Sequence, residues 1–444
     1  MKIIWAIFEK IGIDLIQASV FLIFAKLLGP EAFGVVGVLT IFVTISKSII
    51  EGGFKDIIVR NRDISSETIS AIFIFQLFIA FLLYIVLYFT APEIGSYFDD
   101  KRLTPLLRIL SVSLILNSMS IVHSSSIYKY EDYKTLSKIR GFSIFLAAVI
   151  GVVHALIYSS FWSIVVYHIG LSLFSLILNF YYTYVKMSWP KFNHEFLKAL
   201  QLGYKLLVSS LLNANFHNVL KFIIGSKFSM EFVGFFSQTV RLSQLVVRTP
   251  SNFIGRYSFP IFSKKRDFGF VISLLRVGVL YFLTVQIGVL YFGSNVVIYL
   301  LGDKWLFITE GLVLLLSFGY LFYNTVLVIN CMKILTDGKV ILYNRFVSFS
   351  LPLALILVVD INYINVLMLI GLSSSLSFII CLRWLSKLVP IGVILEIIFN
   401  SIILVSLGVS YLVNYHVLST ILIVISIVLV SRILLITKLK FRYG

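Results

Sequence analysis

This sequence predicts an all-α integral membrane protein of about fourteen transmembrane helices, on three observations. Hydrophobic residues make up 59% of the 444 and charged residues only 13%, with a mean hydropathy of +1.01. The apolar runs match the ~20 helical residues that cross roughly 30 Å of hydrocarbon. Basic residues concentrate in alternate loops. A soluble domain carries about a quarter charged residues, so this chain lacks the polar groups to coat a water-exposed surface. Membrane-spanning strands would read as ~10-residue alternating segments, and runs such as 69–90 and 418–430 do not alternate.

The predicted spans are roughly 4–28, 33–50, 68–91, 103–126, 139–159, 161–184, 200–225, 232–258, 268–292, 308–331, 339–360, 363–386, 390–414 and 416–438. With these boundaries one set of alternate loops and the tail holds 16 Lys and Arg, and 21 when five at the adjoining helix ends are counted with them. Among them are Lys55, Arg140, Lys191, Lys264 and Lys440. The other set holds only Lys101, Arg102, Lys227 and Lys304, which makes 4. The positive-inside bias then places both termini in the cytoplasm. The same bias explains the net charge of +17 without a nucleic-acid partner. The N-terminal apolar segment carries Glu9, Lys10 and Asp14 and no small-residue cleavage site follows it, so it reads as a retained first helix. Cys331 and Cys381 lack metal-ligand spacing and read as buried structural thiols. No metal or cofactor is expected.

No predicted loop exceeds about seventeen residues, which leaves no room for a folded extramembrane domain of the kind membrane polymerases and glycosyltransferases use. The phosphate-cradling G-x-x-x-x-G-K-[ST] is absent as well. The chain does not read as an enzyme. A faint repeat runs through it. Glu31-Ala32-Phe33-Gly34 matches Glu231-Phe232-Val233-Gly234, Asp100-Lys101 matches Asp303-Lys304, and Leu110-Ser111 matches Leu316-Ser317. The offsets drift from 200 through 203 to 206. They suggest two six-helix lobes, 1–190 and 191–388, and two extra helices in 389–444. Six is even, so the lobes are parallel repeats about an axis normal to the membrane, with the substrate path between them.

Charge inside the spans is the most informative remaining feature, because a central Arg or Lys costs at least ~2.5–3.5 kcal/mol on insertion scales. On the eighth span Ser237, Arg241, Gln244, Arg248 and Ser251 are spaced 4, 3, 4 and 3, which puts them on one helical face. Two guanidiniums on one stripe can fork onto phosphate oxygens. The plainer alternative is pairing with the scarce intramembrane acids Glu9, Asp14, Glu310 and Glu396. On the seventh span Lys205, Ser209, Asn213 and His217 recur every four residues. Lys205 can snorkel, and His217 can serve as a helix-contact residue. Lys47, Arg276 and Arg345 lie in the cytoplasmic third, as flank charges or as the inner mouth of a cavity. Lys10 and Asp14 can pair at i, i+4. Alternatively Asp14, with Glu9, is a carboxylate that couples transport to an ion gradient. A low-dielectric cavity of mostly positive fixed charge concentrates anions.

These residues resemble a known family, the bacterial lipid-linked oligosaccharide flippases. They form the polysaccharide transporter group of the multidrug/oligosaccharidyl-lipid/polysaccharide (MOP) exporter superfamily. The nearest likeness is to the colanic-acid and teichuronic-acid exporters, and it covers roughly 5–330. It is carried by Leu28-Gly29-Pro30-Glu31-Ala32-Phe33-Gly34, by 109–139 with Asn117-Ser118-Met119-Ser120, and by 203–245 with Lys205-Leu206-Leu207 and Ile224-Gly225-Ser226-Lys227. Phe259-Pro260-Ile261-Phe262-Ser263 and Leu301-Gly302-Asp303-Lys304-Trp305 complete it. The resemblance implies a MATE-like fold of two lobes around a cationic cavity in the bacterial inner membrane. It implies an undecaprenyl-pyrophosphate-linked oligosaccharide as cargo, alternating access, and drive by a proton or sodium gradient. Membrane lipid, and a polysaccharide polymerase or ligase, are the further expected partners. Two alternatives share the fold: a peptidoglycan lipid-precursor flippase and a multidrug exporter. Drug cations favour acidic cavities, so Arg241 and Arg248 speak against the latter.

Overall fold

The computed structural model describes residues 12–61, 64–265, 268–335, 339–355, 362–386 and 391–412. Among them the regular structure is helical, and nine helical segments are long and apolar enough to cross a membrane. The chain divides into two compact units, Met1–Ser237 and Gln238–Gly444. The lobe boundary expected from the repeat lies earlier, at 190/191.

The first unit opens with α1 (Ile13–Glu51), which is interrupted at Gly29. There φ is 77°, a left-handed value that glycine tolerates best, and Pro30 starts the next turn with no amide hydrogen to lose. The rings of Phe21 and Phe33 lie 6.1 Å apart, whereas twelve residues of straight helix would separate their positions by about 18 Å. The chain therefore turns back on itself at Gly29, and the first two predicted spans meet there without a loop. Gly52, also at positive φ, ends α1. A short α2 (Phe54–Arg60) follows where the sequence predicted only a loop. Its buried Phe54, Ile57 and Ile58 recur at helical spacing and pack with Val122, Phe196 and Ala199, which is why this segment coils.

Then come α3 (Ser66–Tyr97), α4 (Leu103–Leu110), α5 (Val112–Lys129), α6 (Tyr133–Tyr158), α7 (Trp162–Tyr182) and α8 (His194–Lys227). The ends are set by local chemistry. Ser65 caps α3 through Thr68 N, Asp132 caps α6 through Thr135 N, and Asn193 caps α8 through Phe196 N. Glu195 then ties two of these caps together, accepting from Ser65 Oγ at 2.6 Å and Thr68 Oγ1 at 2.7 Å. Helix α9 (Met230–Lys265) leaves the unit. Its first turn presses on α1 so closely that a Cβ on Gly34 would overlap the Met230 carbonyl oxygen, and one on Gly234 that of Pro30.

The second unit holds the rest of α9, then α10 (Phe268–Leu301), a 3₁₀ turn at Asp303–Trp305, α11 (Ile308–Ser317), α12 (Gly319–Leu335), α13 (Lys339–Leu355), α14 (Tyr363–Leu385) and α15 (Ile391–Leu412). Two predicted spans, 103–126 and 308–331, each occur as two helices, broken at Ser111 and at Phe318. Both breaks adjoin the matched Leu-Ser pairs of the repeat. Ser111 Oγ bonds back to Arg108 O and Ser317 Oγ to Val313 O, a side-chain competition that bends helices. The last predicted span, 416–438, lies outside the described residues.

Candidate functional site

In the first unit α1, α2, α5, α6 and α7 enclose a polar cavity of about 180 Å³. It sits near the ends of α1 and α5, where the loop charges predict the cytoplasmic face. Lys47 and Glu51 reach it from α1, Lys55 from α2 and Arg140 from α6. Asn117, Ser120 and Ser124 line it from α5, at spacings of three and four that put them on one face. Ser175 and Asn179 contribute from α7. The ring of Tyr128 steadies two of the cations. Lys55 Nζ lies 4.1 Å from its centroid and the Arg140 guanidinium carbon 5.8 Å, within cation–π range.

The amides fix the wall. Asn117 Nδ2 donates to Ser172 Oγ at 2.9 Å, joining α5 to α7. Asn179 Nδ2 donates to Ser175 O at 2.7 Å. Asn179 is 3% exposed, yet its Oδ1 finds no donor among the described residues.

In the second unit Arg241, Gln244 and Arg248 are all half-buried on α9. Ser251, at the end of the stripe, is fully buried and bonds back to Val247 O. The Arg248 guanidinium carbon lies 5.5 Å from the centroid of the Phe322 ring. Glu396, one of the four acids proposed as partners for these arginines, is engaged elsewhere. Arg276 reaches it with two hydrogen bonds, Nε to Oε1 at 2.9 Å and Nη2 to Oε2 at 2.8 Å. Arg276 is therefore a bridge between α10 and α15 rather than a flank charge. Cys381 is buried, and Asn344 Nδ2 lies 3.1 Å from its sulfur.

Among the described residues proposed from sequence for substrate or ion binding, Lys47 lines the cavity of the first unit. Asp14 is half-buried in the first turn of α1. Glu9, and the side chains of Lys205, Asn213 and His217, lie outside the described residues. In the sequence Lys55 and Arg140 read as charges of the basic set of loops. The 3, 4 spacing of Asn117, Ser120 and Ser124 is the signal that could have found this wall.

Outside the spans, Arg102 bonds Asp100 twice through Nε and Nη2 and pairs with Glu31 at 2.8 Å. Asp100, more than Glu31, pushes the Arg102 pKa further above its usual range. Burial pushes the Glu195 carboxyl up, but the hydrogen bonds from Ser65 and Thr68 outweigh it and hold the group below its ordinary value.

This helical architecture is the one found in flippases and exporters of the MOP superfamily. It superposes on the lipid II flippase MurJ in its inward closed conformation with a TM-score of 0.76, over 98% of this chain and 100% of that one, at 14% identity. An inward-facing multidrug resistance MATE family transporter of the MOP superfamily gives 0.64 over 84% and 93%, also at 14% identity. The chain belongs to the family described as polysaccharide biosynthesis protein, whose model matches residues 23–310. It is 23% identical over 329 residues to an uncharacterized membrane protein in the cps region of Klebsiella pneumoniae, covering 71% of this chain and 67% of that protein. It is also 23% identical over 268 residues to the teichuronic acid biosynthesis protein TuaB of Bacillus subtilis (strain 168), covering 58% and 55%. The match to TuaB thus spans about half of that relative's length. The likeness read from Leu28–Gly34 and the later motifs holds.

Proposed function

We propose that this protein flips an undecaprenyl-pyrophosphate-linked oligosaccharide from the cytoplasmic to the outer leaflet of a bacterial inner membrane. The observation that carries this reading is the basic cavity of Lys47, Lys55 and Arg140 in a chain of the polysaccharide biosynthesis family. Cations in a low-dielectric site attract the acidic groups of such a cargo, while a prenyl tail stays in lipid. The second positive element is the Arg241, Gln244, Arg248 stripe, with Lys205, Asn213 and His217 on the preceding helix. Binding stays moderate, because the same charges must release the cargo on the far side. Alternating access requires a group whose occupancy favours one state. Asp14, with Glu9, fills that role for H⁺ or Na⁺. A polysaccharide polymerase or ligase receives the product.

Complementation of a flippase-null strain tests the reading. Wild-type protein should restore surface polysaccharide and clear the accumulated lipid-linked repeat units. Lys47→Gln with Arg140→Gln should leave them accumulated at unchanged protein abundance. Rescue of a strain lacking its lipid II flippase, with no effect on repeat units, would replace this reading with the peptidoglycan one.

A further inference from the structure

We infer that Arg108, pinned where α3 and α4 meet the lipid, holds the phosphate of a glycerophospholipid in the leaflet opposite the basic loops. The inference needs only that the chain crosses a membrane, and it stands apart from the cargo and its path.

Pro92 lies inside α3 and has no amide hydrogen, so the donor that a helix offers to Tyr88 O, four residues back, is missing. Arg108 of α4 supplies one, with Nε 3.1 Å from Tyr88 O. Its guanidinium carbon also stands 4.4 Å from the centroid of the Tyr88 ring, inside cation–π range. Two contacts to one residue hold a planar fork in place, so little freedom is left to lose when it binds. They use one of the five guanidinium N–H groups. Among the described residues the group has no other acceptor and no carboxylate partner. The two terminal nitrogens therefore present a fork that takes phosphate oxygens in pairs.

The surroundings say where that phosphate comes from. Phe89 is 69% exposed, and Tyr88 and Ile109 are exposed beside it. Tyr97, about two and a half turns further along α3, stacks on Phe222 of α8, so Tyr88 looks away from that neighbour. An apolar face exposed on a membrane-crossing helix meets lipid, where an unpaired arginine is costly. Depth decides how the cost is met. The 32 residues of α3 make about 48 Å of helix against roughly 30 Å of hydrocarbon, leaving about 9 Å beyond it at each end. Tyr88 stands about 14 Å from the end at Tyr97, so its carbonyl lies roughly 5 Å below the hydrocarbon edge. From there a long arginine reaches the headgroups or draws them inward. A phospholipid answers both demands, with its phosphate on the fork and its acyl chains along the exposed aromatic face.

Native mass spectrometry of the delipidated full chain in detergent tests this by measuring retained lipid. The probes, at equal concentration, are phosphatidylglycerol, a diacylglycerol with the same acyl chains, and undecaprenyl phosphate, with glycerol 1-phosphate as soluble competitor. Phosphatidylglycerol should be retained five-fold or more above diacylglycerol, and Arg108→Gln should lower its tightest retention at least five-fold. Lys101→Gln, which removes an exposed cation at the same end, should leave that retention unchanged. Pro92→Ala restores the helical donor to Tyr88 O and frees Arg108 Nε. It should weaken retention two- to three-fold with every charge intact, and it covers the case in which Arg108→Gln does not fold. Retention insensitive to Arg108→Gln, or lowered equally by Lys101→Gln, would overturn the inference in favour of unspecific charge attraction. Undecaprenyl phosphate retained five-fold above phosphatidylglycerol would also overturn it and give the fork to lipid-linked cargo. Displacement by glycerol 1-phosphate at equal concentration would do the same in favour of free phosphate.

Discussion

Gly34 and Gly234, two hundred positions apart, occupy reciprocal positions in one helix contact. Gly34 packs on the carbonyl of Met230 and Gly234 on that of Pro30, and those carbonyls are themselves two hundred positions apart. Gly37 meets the hydroxyl of Ser237 at the same offset, 3.0 Å from where its Cβ would stand. The matched Glu-Ala-Phe-Gly and Glu-Phe-Val-Gly segments thus meet each other around a local two-fold relationship. Small residues allow such close approach of backbones within a membrane.

Gly34→Ala and Gly234→Ala should each destabilise the protein, because the new methyl has only backbone to displace. Overpacking of this kind typically costs about 1–3 kcal/mol. A lowered Tm in detergent for both variants, against little change for Gly288→Ala, whose Cβ would meet nothing, checks this. Unchanged Tm values would show that the contact relaxes freely.

Arg276→Ala should be more damaging than the double replacement Arg276→Leu with Glu396→Leu. The pair is only 18% and 28% exposed, and removing one partner of a buried pair costs up to ~3–5 kcal/mol by stranding the other charge. Apolar replacement of both strands nothing. Thermal unfolding of the single, double and wild-type proteins gives the comparison.

The tie between the α3 and α8 caps should depend on pH. The Glu195 carboxyl is held below its ordinary value, so its stabilisation is full above the unfolded pKa and is lost as pH falls through the folded one. Glu195→Gln should therefore lower stability at neutral pH and narrow the gap to wild type in acid. Hydrogen exchange at Ser65–Thr68 across pH 3 to 7, on the order of one to three units around the usual Glu range, reads the effect.

Arg241→Ala and Arg248→Ala should abolish surface polysaccharide at unchanged membrane abundance. Normal polymer output from the double variant would remove the α9 stripe from the transport path. Asp14→Asn should reduce transport driven by a pH or sodium gradient, and unchanged gradient dependence would strike Asp14 from the coupling group. A reporter fused after Gly444 should behave as cytoplasmic.

The class of this protein was legible in its sequence because crossing hydrocarbon constrains length and polarity before any packing is considered. Apolar runs of crossing length carried that reading. Partnership was not legible. Arg276 and Arg241 read alike as intramembrane cations in one dimension, and folding brought Glu396 of a helix 120 positions away to Arg276. Lys55 and Arg140 looked like loop charges until α2 coiled and Tyr128 drew both to one cavity wall. The sequence by itself determined a helical, basic membrane chain. Only the tertiary structure decided which of its charges face a cavity and which neutralise one another. Those distances depend on how distant helices pack, and local spacing carries no record of that.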